Sequence, residues 1–286
     1  MKEKKIIPYL MIAPYVIHFL TFVAFPVLFS FVLMFHQWNI ISPMEFIGLQ
    51  NFYRLFNDNQ FFRSLLNTIT FLLIHIPLQI AVALFFAVML NQKVKFIGFF
   101  RAAYFLPVIV SGVVVTILWQ QLYGYETGLF NRVLSAVGLG KVGWLVDPNY
   151  AMPSIAIMAT WKNVGLYIVL FLVGLQTVPT HLYEAAELEG ASALQRFWYV
   201  TLPMINPTVM LVIILSTIGG FSLFIEPYVM TSGGPLSSTL SAVLYIYKQG
   251  FFYYHMGYAA TLGFFFAGVI LIVIFIQRRY IEKETR

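Results

Sequence analysis

Long apolar runs alternate with polar segments along the whole chain. Each run is at least as long as the roughly 20 residues that an α-helix needs to cross a bilayer. A backbone in lipid must satisfy its own hydrogen bonds, so runs of this kind form helices. We therefore predict an all-α integral membrane protein with six transmembrane helices, at about residues 6–35, 65–90, 102–122, 151–178, 204–224 and 257–276.

The first apolar run is predicted to remain in the chain as a span. Lys2, Lys4 and Lys5 precede it, as basic residues precede the apolar core of a secretory signal peptide. The run is longer than the apolar core of a signal peptide, however, and it lacks an obvious cleavage site. Pro14 and Pro26 lie inside the run and are expected to kink its helix.

The distribution of lysine and arginine predicts the orientation of the spans. Cytoplasmic connections carry an excess of these residues, and an even number of spans puts both termini on one side. Both termini, and the polar segment between the fourth and fifth spans, are therefore predicted in the cytoplasm. Eleven basic residues lie on the side of the termini, namely Lys2, Lys4, Lys5, Lys93, Lys95, Arg101, Arg196, Arg278, Arg279, Lys283 and Arg286, and six lie on the other side or in its spans, namely Arg54, Arg63, Arg132, Lys141, Lys162 and Lys248.

The composition agrees with a membrane protein and excludes some kinds of catalysis and ligand binding. The 286 residues are 60% hydrophobic and only 10% charged, against roughly 25% charged residues in a soluble domain. The formal charge of +6 is explained by the basic residues that orient the spans, so no nucleic-acid partner is expected. The chain has no cysteine, which excludes thiol catalysis and cysteine ligands. No internal repeat is evident, and residues 1–286 are interpreted as a single transmembrane domain.

Motifs of covalent or metal chemistry are missing from the sequence. In the nearest candidate for a nucleotide-binding loop, Gly138 to Lys141, Val142 follows where serine or threonine is needed, and Ser135 occupies the place of the first glycine. Neither an H-E-x-x-H nor a G-x-S-x-G pattern occurs. The five histidines are scattered, so no metal site is predicted and the chain is not expected to be an enzyme.

The polar segment at residues 179–203 has the signals of two short helices joined at a glycine. Pro179 and Thr180 suit the start of the first helix. Gly190 suits its end, because glycine adopts the left-handed conformation without a steric penalty. Ser192 and Gln195 have the spacing of a capping box, which predicts the start of the second helix.

This segment has two physical interpretations. Its helices can lie on the membrane surface, or they can dock into a groove of another protein. Pro203 either ends the second helix or begins the fifth span. An anionic inner leaflet would repel Glu184, Glu187 and Glu189, which favours docking.

Polar residues of the fourth and fifth spans form a second candidate site. Lys162, next to Asn163, lies roughly 24 Å from the cytoplasmic end of its span at about 1.5 Å per residue. Glu226, near the outer end of the fifth span, is expected at a similar depth and within reach of Lys162. A charge in the bilayer is costly unless it faces protein or water. The sequence leaves three alternatives open. Lys162 and Glu226 can form a structural ion pair, Lys162 can extend to the outer interface, or the three residues can line a solute path.

One stretch resembles a motif of a known transporter family. Residues 184–207 read EAAELEGASALQRFWYVTLPMINP, which closely resembles the cytoplasmic loop of permease subunits in binding-protein-dependent ABC importers. In that family the loop inserts into a cleft of a separate ATPase subunit and couples its closure to rearrangement of the spans. The resemblance implies an importer-type transmembrane domain with a cytoplasmic coupling helix. It assigns ATPase coupling to Glu184, Ala185, Ala186, Glu189, Gly190, Ala191 and Pro203.

Four other segments look like the carbohydrate-type branch of this family, and most like the first of its two permeases. One departure is Glu189, which stands where the branch usually has aspartate before the glycine. The chain resembles the compact six-span form, without the large outer domain of the maltose importer's first permease. The four segments are residues 46–71, 100–123, 143–179 and 231–251.

The resemblance implies a permease subunit of a carbohydrate importer in the inner membrane of a bacterium or archaeon, surrounded by membrane lipid. It also implies a second permease that completes the path and two copies of an ATPase that binds the ATP, so no cofactor is expected in this chain. A solute-binding protein would meet the outer segments 36–64, 123–150 and 225–256. Closure of the ATPases would move the helix near Glu184, with a pivot at Gly190 and Pro203.

Three alternative functions remain at this stage. An importer for a non-sugar solute would share the coupling motif. A carrier driven by an ion gradient would favour inverted repeats and intramembrane carboxylates, and Glu226 is the only deep acidic candidate. A membrane-embedded enzyme would need a cluster of His, Asp and Glu residues, which the sequence does not contain.

Overall fold

Helices make up most of the computed structural model, which describes residues 7–92 and 96–284. The predicted all-α class is confirmed, with one small addition among the described residues. Two strands of two residues each, His36–Gln37 (β1) and Glu45–Phe46 (β2), pair antiparallel with His36 opposite Phe46. Three further segments are π-helical, at Leu20–Ala24, Phe197–Thr201 and Lys248–Phe252.

The α-helices are numbered here in chain order. Helices α1 to α8 are Ile7–Phe19, Phe25–Leu33, Gln50–Phe56, Asn59–Leu90, Ile97–Ile109, Gly112–Leu122, Leu129–Ala136 and Pro148–Gln176. Helices α9 to α15 are Thr180–Leu188, Ala193–Arg196, Leu202–Met204, Asn206–Phe221, Ile225–Thr231, Ala242–Tyr247 and Met256–Glu284.

The structure divides into two compact units. The first unit contains the described residues up to Phe61 together with Tyr245–Val269. The second contains Phe62–Leu244 and the described residues from Ile270 onward. The interpretation of the chain as one transmembrane domain stays a prediction.

Several helices are long and apolar enough to cross a membrane. Four single helices in the described part of the chain meet these criteria of length and apolar character. Two bent helix pairs raise the number to six if each pair is one span. A count of six therefore agrees with the six apolar runs of the sequence. The single helices are Pro8–Leu33, Asn59–Leu90, Pro148–Gln176 and Met256–Arg279, and the bent pairs are Gly98–Ile109 with Gly112–Leu122 and Ala193–Met204 with Asn206–Phe221.

The third predicted span, 102–122, is not one continuous helix. It is broken between α5 and α6, whose axes are bent by 99°. Val110 and Ser111 at the break have extended backbones, with ψ angles of 143° and 129°. A continuous apolar run satisfies the length criterion for a span, but it does not reveal such a break.

The entry to the fifth span is also bent. The axes of the two helix segments differ by 69° at a break that falls at Ile205. Pro203 lies inside α11, just before the break, and Pro207 lies in the first turn of α12. Proline has no backbone N–H to donate and suits the first turn of a helix, so the helix restarts after Ile205.

Helix α8 forms the core of the second unit. The Asp147 side chain caps it by accepting a hydrogen bond of 2.8 Å from the backbone N–H of Asn149. In its most apolar stretch, 61% of the residues are buried, against 6% in Pro8–Leu33. Gly165 faces the backbone carbonyl of Tyr104 so closely that a Cβ would not fit, and small residues permit this close helix contact. Buried residues of the core include Ala83, Ala87, Ile168, Phe171, Leu175 and Val212.

The side chain of Asp58 accepts hydrogen bonds from three helices of the first unit. Its Oδ1 atom accepts hydrogen bonds from the backbone N–H groups of Gln60 and Phe61, over 3.0 and 3.1 Å, and so caps α4. Its Oδ2 atom accepts hydrogen bonds from the hydroxyls of Tyr245 and Tyr258, over 2.6 and 2.5 Å. One carboxylate therefore joins the start of α4 to α14 and α15.

The predicted orientation of the spans depends partly on residues that the structure does not describe. No membrane is present, so the cytoplasmic location of the termini stays a prediction. The basic residues outside the described range are Lys2, Lys4, Lys5, Lys93, Lys95 and Arg286.

Candidate coupling loop and intramembrane cavity

The coupling loop, residues 179–203, begins with a helix that ends in a glycine turn. Helix α9 starts directly after Pro179, as predicted. Gly190 has a φ of +80°, and its N–H donates to the carbonyl of Glu187. The N–H of Ala191 donates to the carbonyl of Ala186 over 2.9 Å. These two bonds form a Schellman motif, which requires the left-handed conformation at the glycine.

The second half of the loop starts at a capping box. The Ser192 hydroxyl accepts a hydrogen bond from the N–H of Gln195, and the Gln195 side chain accepts one from the N–H of Ser192. The predicted capping box is therefore confirmed. The chain continues through α10, a π-helical segment and α11, which contains Pro203. The loop is thus a continuous series of short helical segments up to the bend at Ile205.

Two side-chain contacts join the halves of the loop. Arg196 donates to the carboxylate of Glu187 over 3.0 Å. The hydroxyls of Tyr183 and Thr201 form a hydrogen bond of 3.0 Å. Neither contact has a signal in the sequence, since residues 9 and 18 positions apart meet only after the chain reverses at the glycine.

Most residues assigned to ATPase coupling are accessible. The side of the loop that they form also carries Leu188, which is 90% exposed and was not among the predicted residues. Glu184, Ala185, Glu189, Gly190 and Pro203 are exposed, whereas Ala186 and Ala191 are half-buried.

The structure brings together the two charged residues of the second candidate site. Nζ of Lys162 on α8 lies 3.0 Å from Oε1 of Glu226, which belongs to the first turn of α13. The two side chains are only 15% and 11% exposed. Asn163 directs its amide to the carbonyl of Ala159 over 2.9 Å. Whether the pair also lines a solute path stays a prediction.

A cavity of about 270 Å³ adjoins the ion pair within the second unit. Its walls combine polar groups with apolar and aromatic side chains, which is usual for sites of small ligands. The charged pair lies in the wall of this cavity. The lining residues include Phe71, His75, Asn163, Tyr167, Ser216 and Ser222.

Hydrogen bonds between helices place further polar groups beside the cavity. Nδ1 of His75 lies 2.9 Å from the hydroxyl of Thr160, which itself donates to the carbonyl of Ala156. The amide of Gln79 donates to the hydroxyl of Ser216 over 2.9 Å. Polar groups inside a membrane protein are costly unless they are paired in this way, so these bonds fix α4 against α8 and α12.

A family model matches most of the chain, over residues 46–286. The family is described as the inner membrane component of binding-protein-dependent transport systems. The chain belongs to this family. Both the coupling loop and the cavity fall within the matched residues, and the chain is therefore a multi-pass permease component of a transport system.

Curated relatives of this permease match it over nearly their whole length. The arabinooligosaccharides transport system permease protein AraP of Bacillus subtilis (strain 168) is 37% identical, over 96% of this chain and 88% of the relative. The lactose transport system permease protein LacF of Rhizobium radiobacter is 36% identical, over 97% of this chain and 94% of the relative. The similarity therefore includes every predicted span.

A solved structure has the same fold as the permease. It is a crystal structure of a bacterial alginate ABC transporter in complex with an alginate pentasaccharide-bound periplasmic protein. One of its chains superposes with a TM-score of 0.83 at 25% identity, covering 96% of this chain and 93% of that chain. The importer-type fold expected from the coupling motif is thus confirmed.

Proposed function

We propose that the chain is one of two permease subunits of an ABC importer for a carbohydrate, coupled to a separate ATPase. The near-complete match to permeases of two carbohydrate transport systems carries this proposal. The importer fold and the exposed coupling loop support it. The chain itself catalyses no covalent reaction, because ATP is bound and hydrolysed on the partner subunits.

The coupling loop is proposed to receive the motion of the ATPase. Leu188 and the acidic residues Glu184 and Glu189 form an exposed surface at the end of α9, which suits insertion into a cleft. The Schellman turn at Gly190 and the ion pair between Glu187 and Arg196 make the loop rigid. A rigid loop transmits a displacement to the bend at Ile205, where the fifth span begins.

The cavity beside Lys162 and Glu226 is proposed to form this chain's half of the translocation path. Hydroxyl and amide groups in its wall can exchange hydrogen bonds with a sugar's hydroxyls, and aromatic rings can contact the apolar face of a sugar. The second permease supplies the other half. We further propose that both termini and the coupling loop are cytoplasmic, and that the outer segments meet the solute-binding protein.

Two glycines allow a sharp test of the coupling loop. Gly190 and Gly138 both have a φ of +80°, and at both positions a Cβ would meet no atom within 4 Å. Alanine costs about 1–2 kcal/mol in the left-handed conformation, so Gly190→Ala and Gly138→Ala carry a similar backbone penalty. Gly138 follows α7 in a segment proposed to lie outside the cell, and it serves as the matched control.

The assay uses the assembled importer in proteoliposomes, with ATP inside and the solute-binding protein outside. Gly190→Ala is expected to lower solute uptake and the ATPase activity measured without the binding protein. Gly138→Ala lies in a segment proposed to meet the binding protein, so it is compared only in the ATPase activity measured without that protein, which should stay close to wild type. Equal activity of the two variants would argue against a coupling role of the loop. Calorimetry of the cognate solute-binding protein against sugars and non-sugar solutes tests the carbohydrate assignment separately.

A further inference from the structure

The break between α5 and α6 lies against the charged pair. Gly112 is the first residue of α6, and a Cβ atom at Gly112 would lie 2.9 Å from Nζ of Lys162. It would also lie 3.5 Å from Cδ1 of Ile225, the residue next to Glu226. Carbon and nitrogen atoms that are not bonded to each other do not approach so closely without displacement. Gly112 is therefore the residue that admits the lysine ammonium to the start of α6.

The position of this ammonium is electrostatically unfavourable by itself. The first turn of a helix exposes unpaired N–H groups and carries a partial positive charge, and Ser111 provides no side-chain cap for α6. Glu226 supplies the compensating charge at 3.0 Å. Its carboxylate also lies in the first turn of α13, where a negative charge is favourable. The charge of Lys162 is therefore favourable only with Glu226 beside it, whereas the charge of Glu226 is also favoured by the start of α13.

The other end of α6 is held by the same partner helix. The Gln120 amide lies within hydrogen-bond distance of two carbonyls of α13, 3.3 Å from Val229 and 3.2 Å from Met230. Helix α6 is therefore bonded to α13 directly through Gln120, and at the break its first residue lies beside the pair of Lys162 and Glu226. These contacts fix the direction in which α6 leaves the 99° bend.

We propose that Lys162, Glu226 and Gly112 form a seat that fixes the direction of α6 relative to α8. Lys162 is a positioning residue in this arrangement. Since Lys162, Ile225 and Glu226 also belong to the cavity wall, the seat sets the shape of the cavity. Only this consequence for solute passage rests on the proposed function, because the geometry of the seat does not depend on the identity of the solute.

The seat can be tested by distance measurement, because the chain has no cysteine. Cysteines introduced at Leu118 on α6 and Ile157 on α8 occupy exposed positions, at 52% and 43%, and can carry spin labels. The distance between the labels is measured by pulsed electron paramagnetic resonance on the importer purified with its partner subunits in lipid nanodiscs. Solute uptake of the same variants is measured in proteoliposomes.

The variants separate the seat from a general loss of structure. Glu226→Gln is expected to shift or broaden the distance distribution more than Lys162→Met, because it leaves the lysine charge beside the helix start. The double variant with Lys162→Glu and Glu226→Lys is expected to move the distance back toward wild type. Gly112→Val places a branched side chain against both the lysine ammonium and the Ile225 side chain, and it is expected to shift the distance through steric contact alone. Gly268→Val, in α15, is the matched control, since a Cβ there meets no atom within 4 Å.

The outcomes are distinguishable from failure of the proposed function. Wild-type distances in both Glu226→Gln and Gly112→Val would overturn the seat. If Glu226→Gln does not fold, Gly112→Val still decides the question. If the wild-type importer transports no carbohydrate, the carbohydrate assignment fails while the distances still report on the seat. Shifted distances with loss of uptake would support both.

Discussion

A 3.0 Å ion pair between Glu187 and Arg196 joins the two halves of the coupling loop across the glycine turn. The Glu187 side chain is 71% exposed and that of Arg196 is 28% exposed. Solvent therefore screens the pair, and an exposed pair contributes only about 0–1 kcal/mol to stability. We propose that its importance is geometric, because it links α9 to the chain that enters the fifth span.

The first prediction concerns this ion pair. Arg196→Gln is expected to change the free energy of unfolding by no more than about 1 kcal/mol, yet to reduce ATP-driven uptake, because the loop loses a brace. Thermal unfolding in detergent and uptake in proteoliposomes measure the two effects. Lys141→Gln is the control for the unfolding measurement, since it removes the exposed pair with Glu126 in another segment. Wild-type uptake in Arg196→Gln would mean that the brace has no mechanical role.

The second prediction concerns the capping box. Ser192→Ala removes the side chain that accepts from the N–H of Gln195 and is expected to cost about 1 kcal/mol. The loss of stability should be local, and it should appear as faster amide hydrogen exchange in residues 193–204. Ser135→Ala, an exposed position in α7, should leave this exchange unchanged. Unaltered exchange in Ser192→Ala would indicate that tertiary contacts alone hold the second half of the loop.

The third prediction is a pH dependence at Asp58. Burial opposes the charge of this carboxylate, but hydrogen bonds from Tyr245, Tyr258 and the backbone N–H groups of Phe61 and Gln60 outweigh it and hold its pKa below the usual value. A lowered pKa stabilises the fold above the unfolded pKa of about 3.9. The contribution is lost as the pH falls through the folded pKa.

Asp58→Asn should therefore lower the melting temperature at neutral pH, and the difference from wild type should shrink as the pH falls below about 4. Melting temperatures in detergent across this pH range provide the measurement. Glu45→Gln, at an exposed position of β2, controls for general charge effects. A difference that stays constant with pH would exclude the charged form of Asp58 as the source of the stability.

The fourth prediction concerns Asn131, which is 1% exposed. Its amide nitrogen donates to the carbonyls of Tyr125 and Val142, and its oxygen accepts from the N–H of Val142 and the indole of Trp144, all within 3.0 Å. Asn131→Ala leaves these groups unpaired and is expected to cost at least about 2 kcal/mol. Limited proteolysis of residues 123–147 and thermal unfolding measure the effect.

Asn57→Ala is the control for Asn131, because Asn57 is exposed and its amide bonds a single carbonyl, that of Tyr53. If the outer segment holds the docking surface for the solute-binding protein, Asn131→Ala should also weaken binding of that protein. Equal protease resistance of Asn131→Ala and wild type would show that the segment is held by other contacts, such as the ring contacts of Tyr123 with Phe130 and Trp144.

Much of the coupling loop was predictable from sequence because its structure is local. A capping box, a proline start and a glycine stop act within a few residues, so Ser192, Gln195 and Gly190 have the predicted roles in the structure. The apolar runs predicted the spans for a similar reason, since a backbone in lipid forms helices over the length of the run. The functional family followed from one motif in that loop.

The ion pair of Lys162 and Glu226 was predicted only as one alternative. Depth along a span placed the two residues at similar levels, but it did not give their directions around the helices. The structure adds that Glu226 belongs to a separate short helix and is 8% exposed. A cavity beside the pair also depends on the packing of α4, α8 and α12, which no pattern along the chain records.

By itself, the sequence determined the membrane class, the apolar runs that form the spans, and the start and stop of the helices in the coupling loop. Each of these depends on hydrophobicity or on hydrogen bonds between near neighbours. Only the tertiary structure decided the break before Gly112, the cavity beside Lys162 and Glu226, and the bonds from Tyr245 and Tyr258 to Asp58. These features depend on residues far apart in the chain, whose contacts exist only once the helices have packed.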